Sequence, residues 1–462
     1  MTGSPMGVSP RVWRIAMLSG AAIGLVYALS PLTVWSTLLF AGLVWWIGVG
    51  LPDEEARRVR IILAVAIAVR ILAVLVLFAA TDHHRIPFGS LFGDEEYFIR
   101  RSTWLRNVAL GIPVHSADLI YAFDEYSYTH YLYVLAFVQV LVGPAPYGMH
   151  LLSAAMCLGG AVVLFRVARR AYGSGVALTG LLVLLFLPSL FAWSIAVLKE
   201  PPYFLISALS SAAAIGIVRT RSLARRIGGA LFLIAASIVL QAIRDGGLMI
   251  AVAGICGGWL IAWLAVRPRA ALGFAVAAPI VVVGLLTMPA GQLRAVQAVR
   301  RAAQLHWGHI NTPGYTYKTL DDRLYPERSN IDEMSRGETL RFLVRSAVDY
   351  VTVPRPWSIE SRAALAFLPE LMLWYCAVAL APYGFVAGLK RDPLVTGVIA
   401  ASALAAAALV ALTSGNVGTL IRHRGLALPY LIWLSAAGAE ALLARGAARA
   451  AGAPIGKEVA WR

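Results

Sequence analysis

Apolar runs of roughly 20 residues follow one another almost from end to end of this chain, and that feature limits what it can fold into. At 1.5 Å per residue such a run crosses the hydrocarbon core as a helix, the form in which backbone groups are satisfied without water. The runs fall near residues 13–30, 32–50, 61–80, 147–168, 175–193, 202–218, 227–243, 247–266, 270–289, 364–389, 394–413 and 426–443. They predict an all-α integral membrane protein with about twelve transmembrane helices and further helices lying at the outer membrane surface.

Composition agrees. Of 462 residues 59% are hydrophobic and only 14% charged, with mean hydropathy +0.73, too little charge to cover a soluble surface of this size. The net charge of +16 would suggest nucleic acid in a soluble chain. Here the Arg and Lys residues sit in short junctions between apolar runs, where they set orientation and meet anionic headgroups, so nucleic acid is excluded as a partner and membrane lipid is expected. Cys157, Cys256 and Cys376 each lie inside an apolar run without CxxC or His spacing and read as small buried hydrophobes. No cleavable signal is expected, because the first run is long and closely followed by a second.

The junction charges separate by side. Arg11 and Arg14, Arg57 to Arg60, Arg166 to Arg170, Arg219 to Arg226, Arg267 and Arg269, Lys390 and Arg391, and Arg445 all fall on one side, which the positive-inside rule makes cytoplasmic. Both termini are then cytoplasmic, in a multi-pass protein of the plasma or inner membrane. Residues 130–143 are apolar but too few to cross comfortably, and counting them as a span would place the Arg166–Arg170 cluster outside; they predict an interfacial or re-entrant helix.

The organisation is therefore two N-terminal helices (1–59), a transmembrane core (60–289) with an outer acidic loop (81–129), an outer region (290–363), and C-terminal helices with a short cytoplasmic tail (364–462). Within the outer region, residues 294–305 have amphipathic spacing, with Arg294, Arg300 and Arg301 on the wet side. Trp307, Tyr315, Tyr317, Tyr325 and Trp357 there suit either stacking on sugar rings or anchoring at the interface. There is no internal repeat, low-complexity tract or appended soluble domain.

Four polar clusters stand at outer ends of spans: Gly93-Asp94-Glu95-Glu96-Tyr97, Lys199-Glu200-Pro201-Pro202, Arg244-Asp245-Gly246-Gly247, and Arg422-His423-Arg424 after Ser414-Gly415-Asn416. Ionisable groups so close to hydrocarbon normally face a cavity and find partners, which predicts a shared polar cavity on that face. Lys199, Arg244, Arg422 and Arg424 are the cations that clamp phosphate, and Asp94 and Glu95 are carboxylates suited to take a proton from a hydroxyl or amine. The blander alternatives are a headgroup-reaching turn at Lys199-Glu200, a self-contained Arg244-Asp245 pair, headgroup anchors at residues 422–424, and solvated acids at 94–96. His83, His84, His130 and His423 show no ligand spacing, so no structural metal is expected.

These residues resemble the C-type (GT-C) membrane glycosyltransferases, the group that includes protein mannosyltransferases and aminoarabinose transferases. In that family an early span leads to an outer loop with an acidic pair, matched by Gly93 to Tyr97. A short helix of the form H-x-x-x-Y-x-L follows, here beginning His130-Tyr131-Leu132-Tyr133, and then a span closing in a basic motif, here Arg166-Val167-Ala168-Arg169-Arg170. The likeness covers about residues 60–220 and elsewhere rests on topology. Two extra spans precede the acidic loop, Tyr131 and Leu132 replace a usual proline pair, and Lys199-Glu200 stands where an acidic residue alone is common.

The resemblance implies a GT-C-like fold and inverting transfer of a sugar from a polyprenyl-phosphate donor to a lipid, glycan or protein acceptor. It implies Asp94 as catalytic base, with Glu95 its neighbour and substitute. Lys199, Glu200, Arg244, Asp245, Arg422, His423, Arg424, Tyr97 and His130 would contact substrate. Cations suffice for a monophosphate donor, though a divalent ion between Asp94 and Glu95 stays open. The alternatives are a glycan polymerase or ligase acting on lipid-linked repeat units, and a lipid or glycan transporter, against which stand the one-sided charges and the absence of repeats and broken spans.

Overall fold

The computed structural model describes residues 9–29, 31–86, 88–123, 129–358 and 362–450. The expected cytoplasmic tail beyond Ala450 lies outside the described residues, as do short stretches of both long loops. In chain order the helices are α1 (Pro10–Leu29), α2 (Pro31–Ile47), α3 (Asp53–Ala80), α4 (Gly93–Ala109), α5 (Ser116–Ala122), α6 (Tyr131–Val142), α7 (Pro146–Tyr172), α8 (Ser174–Phe186), α9 (Pro188–Ile195) and α10 (Glu200–Arg219). They continue as α11 (Leu223–Ile243), α12 (Gly247–Ala265), α13 (Pro268–Thr287), α14 (Pro289–Ile310), α15 (Arg336–Thr352), α16 (Arg362–Arg391), α17 (Pro393–Thr413), α18 (Val417–Arg424) and α19 (Leu428–Ala450). Among the described residues the only β-pairing is an isolated bridge between Thr316 and Asn416. Proline opens many of these helices, at the position where its missing N–H costs nothing and its fixed φ already suits the helix.

Nine described helices, α3, α7, α10 to α13, α16, α17 and α19, are long and apolar enough to cross a membrane, and α8 with α9 makes a tenth if that pair is one broken span. Twelve were expected. The difference has local causes. α2 has 17 residues, the lower limit for a crossing, and α1, of 20 residues, is the other expected N-terminal span outside the nine. The run expected to be one straight span at 175–193 bends by 61° between Phe186 and Pro188. Proline at 188 forces Leu187 out of the helical region, to φ −61° and ψ 124°. α6, with 12 residues, is too short to cross, as its sequence predicts.

The loops expected at 81–129 and 290–363 both carry helices, α4 and α5 in the first and α14 and α15 in the second. The acidic segment is the first turn of α4, where Asp94, Glu95 and Glu96 face the helix's positive N-terminal end. Arg300 on α14 is half-buried and turns Nη2 toward the Met334 carbonyl at 3.5 Å, whereas Arg294 and Arg301 are exposed as expected. The turn Arg328–Glu333, which leads to Met334, packs on α14.

The chain forms two compact units, Met1–Gly159 with Phe191–Leu205, and Gly160–Leu190 with Ile206–Arg462. In the first, Phe98 and Ile99 of α4, Tyr131, Leu132 and Leu135 of α6, Met149 of α7 and the segment Ala196-Val197-Leu198 share one buried cluster. In the second, α12 lies along α17 and α16 along α19 at distances only small residues permit. A Cβ on Gly258 would fall 2.5 Å from Val398 Cα, and one on Gly384 would overlap the Leu434 carbonyl.

Candidate functional site

In the first unit the site grows from a break in helical structure. α9 ends at Ile195 and α10 begins at Glu200, so residues 196–199 lie outside regular helix, yet Ala196, Val197 and Leu198 have no exposure at all. Buried backbone of this kind must find partners. Two side chains supply them. Glu95 Oε1 accepts the Val197 N–H at 2.7 Å, and His150 Nδ1–H is shared between the Ile195 carbonyl at 2.7 Å and Glu95 Oε1 at 2.9 Å. The other Glu95 oxygen accepts the Leu91 N–H at 2.8 Å, and His150 Nε2 faces the Gly89 carbonyl at 3.4 Å. A carboxylate on α4 and an imidazole on α7 thus stitch the 89–91 loop to the break that leads into Lys199-Glu200.

The two acids implied as interchangeable are placed differently. Glu95 has no exposure and both oxygens are committed, whereas Asp94 is exposed on the same turn. Glu96 pairs with Arg100 at 2.5 Å. Lys199 is half-buried and Glu200 buried. Tyr131, 1% exposed, links these groups electrostatically: burial, then the charge of Glu200 and more weakly that of Glu95, pushes its phenol up. The first two sequence clusters therefore meet. Tyr97 instead joins α4 to α5, accepting a hydrogen bond from Arg101 and packing edge-on against Tyr121 at 5.5 Å. His130 is exposed at the N-cap of α6, its ring 6.3 Å from Tyr133.

In the second unit α18 carries Arg422, His423 and Arg424, and the Ser414-Gly415-Asn416 stretch fixes where it starts. Asn416 caps it by accepting the Gly418 N–H at 2.9 Å, while the Ser414 carbonyl accepts from His306 Nδ1 at 2.6 Å and the Tyr317 hydroxyl at 2.8 Å. Gly415 is needed there, since a Cβ would lie 2.5 Å from the His306 carbonyl oxygen.

Arg244, half-buried after α11, and His423 both act on one residue that sequence reading missed, His309 of α14. Its Nδ1 donates to the Thr413 carbonyl at 2.7 Å and its ring lies 6.4 Å from that of His423. Burial pushes His309 below the usual histidine range, the Thr413 carbonyl opposes this, and the nearby Arg244 charge adds to the depression. Arg244, His309 and His423 form a basic cluster, with Asp245 exposed beside Arg244 and Arg422 half-buried on α18.

Arg424 points elsewhere. It is 3% exposed, with Nε donating to the Tyr350 carbonyl at 3.1 Å, Nη2 donating to the carbonyls of Tyr350 and Val353, and the guanidinium lying over the Trp374 ring at 4.5 Å. Burial pulls its pKa down to about 10, leaving it a cation at neutral pH. Among the described residues no carboxylate forms an ion pair with it.

Of the outer-region aromatics, Trp307, Tyr317 and Tyr325 are committed to internal hydrogen bonds, whereas Tyr315 and Trp357 are exposed. Besides His309, the sequence reading passed over Arg70, His150 and Glu370. Each is an ionisable residue inside an apolar run, and that alone was the available signal. Arg70, 1% exposed, donates to Ser194 Oγ at 2.8 Å and lies 5.0 Å from the Phe191 ring centre. Among the described residues no three His, Cys, Asp or Glu side chains converge to hold a metal ion.

Compared with known proteins, the chain matches no family model, no curated protein and no solved structure.

Proposed function

We propose that this chain is a membrane glycosyltransferase that moves a sugar from a polyprenyl-phosphate donor to an acceptor on the non-cytoplasmic face, with GT-C-like architecture. The observation that carries the reading is the Glu95 stitch. It holds an exposed acid, Asp94, on a turn tied to the break that presents Lys199, so a base and a cation stand on elements fixed to each other. Placing such groups on rigid supports is what acid–base catalysis requires.

In the reaction, the acceptor hydroxyl or amine attacks the anomeric carbon while the bond from that carbon to the phosphate oxygen breaks. Asp94 takes the acceptor's proton, and the polyprenyl phosphate leaves with the bonding electron pair, inverting the configuration. Lys199 stabilises the charge on the departing phosphate. Glu95 acts through position, and a divalent cation is not required by this scheme.

The test is release of polyprenyl phosphate from a panel of polyprenyl-phosphate hexoses by the purified protein in nanodiscs, with native membrane extract as acceptor. Wild type should release it and form a glycosylated product; Asp94→Asn should lose at least about a hundredfold in rate, the scale of general base catalysis. Full activity in Asp94→Asn would overturn the reading.

The bend between α8 and α9 and the irregular stretch before Lys199 favour a second reading, movement of a lipid-linked substrate without bond formation, since transporters build their sites on broken helices. The same assay separates the two, because transport yields no glycosylated product.

A further inference from the structure

In the second unit α15 buries Glu338, Phe342, Ser346, Asp349 and Tyr350 along one side. Its other side is open: Leu340 is 64%, Val344 56% and Val348 51% exposed, and Ala347 is exposed between them. At about 100° per residue these four share one face, and Arg341 and Arg345 run along its edge, where each pairs with Asp321 at 2.7 Å. Apolar side chains turned outward beside a basic edge are the pattern of a helix lying in a lipid interface.

The contacts at its two ends fix the level at which α15 lies. At its start Arg336 Nη2 donates to Gln292 Oε1 at 3.3 Å. Gln292 stands one turn past the end of α13, whose 20 residues match the ~30 Å of one crossing, so this end is at the headgroups. At the other end the Val351 carbonyl accepts from Trp374 Nε1 at 2.9 Å, and the Thr352 carbonyl from the Tyr375 hydroxyl at 2.9 Å. Trp374 lies about 25 Å along α16 from its basic end at Arg391, just inside a hydrocarbon core of about 30 Å. Both ends therefore sit near one level, the boundary away from the basic ends at Arg269 and Arg391, and α15 runs along that boundary instead of through it. Trp357, 81% exposed shortly past the helix, is the side chain that membranes hold at such a depth.

We infer that α15 is seated in the lipid leaflet at that boundary, with Leu340, Val344 and Val348 among the acyl chains and Arg341 and Arg345 reaching back to the headgroups. Lipid is the occupant because the stripe lies where acyl chains already stand, and because long cationic side chains at its edge reach headgroup level from there. The sequence points to residues 294–305 of α14 for such a role; α15 fills it with a separate face. The inference holds whatever reaction the protein carries out.

The experiment places an environment-sensitive fluorophore on single cysteines of the full-length protein, with Cys157, Cys256 and Cys376 replaced by Ala. Val344→Cys and Val348→Cys report on the stripe, and Glu327→Cys on an exposed acid off the helix. Each labelled protein is studied as a single copy per nanodisc of phosphatidylcholine and phosphatidylglycerol, so no other protein covers the face. A nitroxide near the top of the acyl chains should quench positions 344 and 348 at least about twofold and leave 327 unchanged, and aqueous iodide should do the reverse. Quenching of 344 and 348 by iodide and not by the lipid nitroxide, as for a face open to water or kept for a protein partner, would overturn the proposal. Equal lipid quenching at 327 would do so too. If one stripe variant fails to fold, the other decides.

Discussion

Glu95 Oε1 and the backbone N–H of Val197 are 2.7 Å apart, although 102 residues separate them in the chain. One buried carboxylate thereby satisfies the exposed-to-nothing backbone of a helix break and fixes the acidic turn of α4 against it. Asp94, its neighbour, is left facing outward.

Glu95→Gln keeps the size but replaces one accepting oxygen with an NH₂ group, which must then face the Leu91 or the Val197 N–H, donor against donor. The expected cost is about 1–3 kcal/mol, the range for leaving a buried donor unsatisfied. It should show as a lower unfolding midpoint and faster amide exchange across residues 195–199. Asp94→Asn, on an exposed side chain, should change stability by less than about 0.5 kcal/mol. Equal stability losses in the two variants would contradict the division of labour between these acids.

His306 makes folding sensitive to pH. It has no exposure, and burial pulls its pKa down to about 4 against the Ser414 hydrogen bond, which opposes the shift. Between pH 6.5 and about 4 the unfolded chain therefore binds the proton that the folded chain refuses, so stability rises with pH across that window. The contribution is complete above pH 6.5, is lost as pH falls toward 4, and is on the order of 3 kcal/mol. Thermal unfolding from pH 4 to 7.5 should show this slope, and His306→Gln, which cannot titrate, should flatten it.

Gly415→Ala places a methyl group 2.5 Å from the His306 carbonyl oxygen, a backbone atom with little freedom to retreat. The expected loss is about 1–3 kcal/mol, as for overpacking generally. Wild-type unfolding in this variant would show that the close approach of Gly415 to His306 is not needed to hold the start of α18.

Hydrophobic run length made the helical membrane class readable, because the bilayer imposes one length on every crossing segment. Run length could not report the bend at Pro188, since two short apolar helices and one long one have the same composition. The clusters at 93–97 and 199–200 were visible as charge near hydrocarbon, and they meet in one unit. Which acid would be enclosed was not visible, because Asp94 and Glu95 are adjacent and differ only in the direction each takes from the helix. His150 and Glu370 lie in runs read for hydropathy alone and His309 in the outer region read for its arginines and aromatics, and their partners are distant in sequence: Glu95, Ser189 and Thr413.

The account stands or falls on the side of the membrane that Asp94 faces. With Cys157, Cys256 and Cys376 replaced by Ala, single Asp94→Cys, Asp245→Cys and Arg221→Cys variants can be treated in intact cells with a membrane-impermeant maleimide. The account predicts labelling at positions 94 and 245 without lysis, and at 221 only after it. Labelling at position 94 that waits for lysis would contradict it.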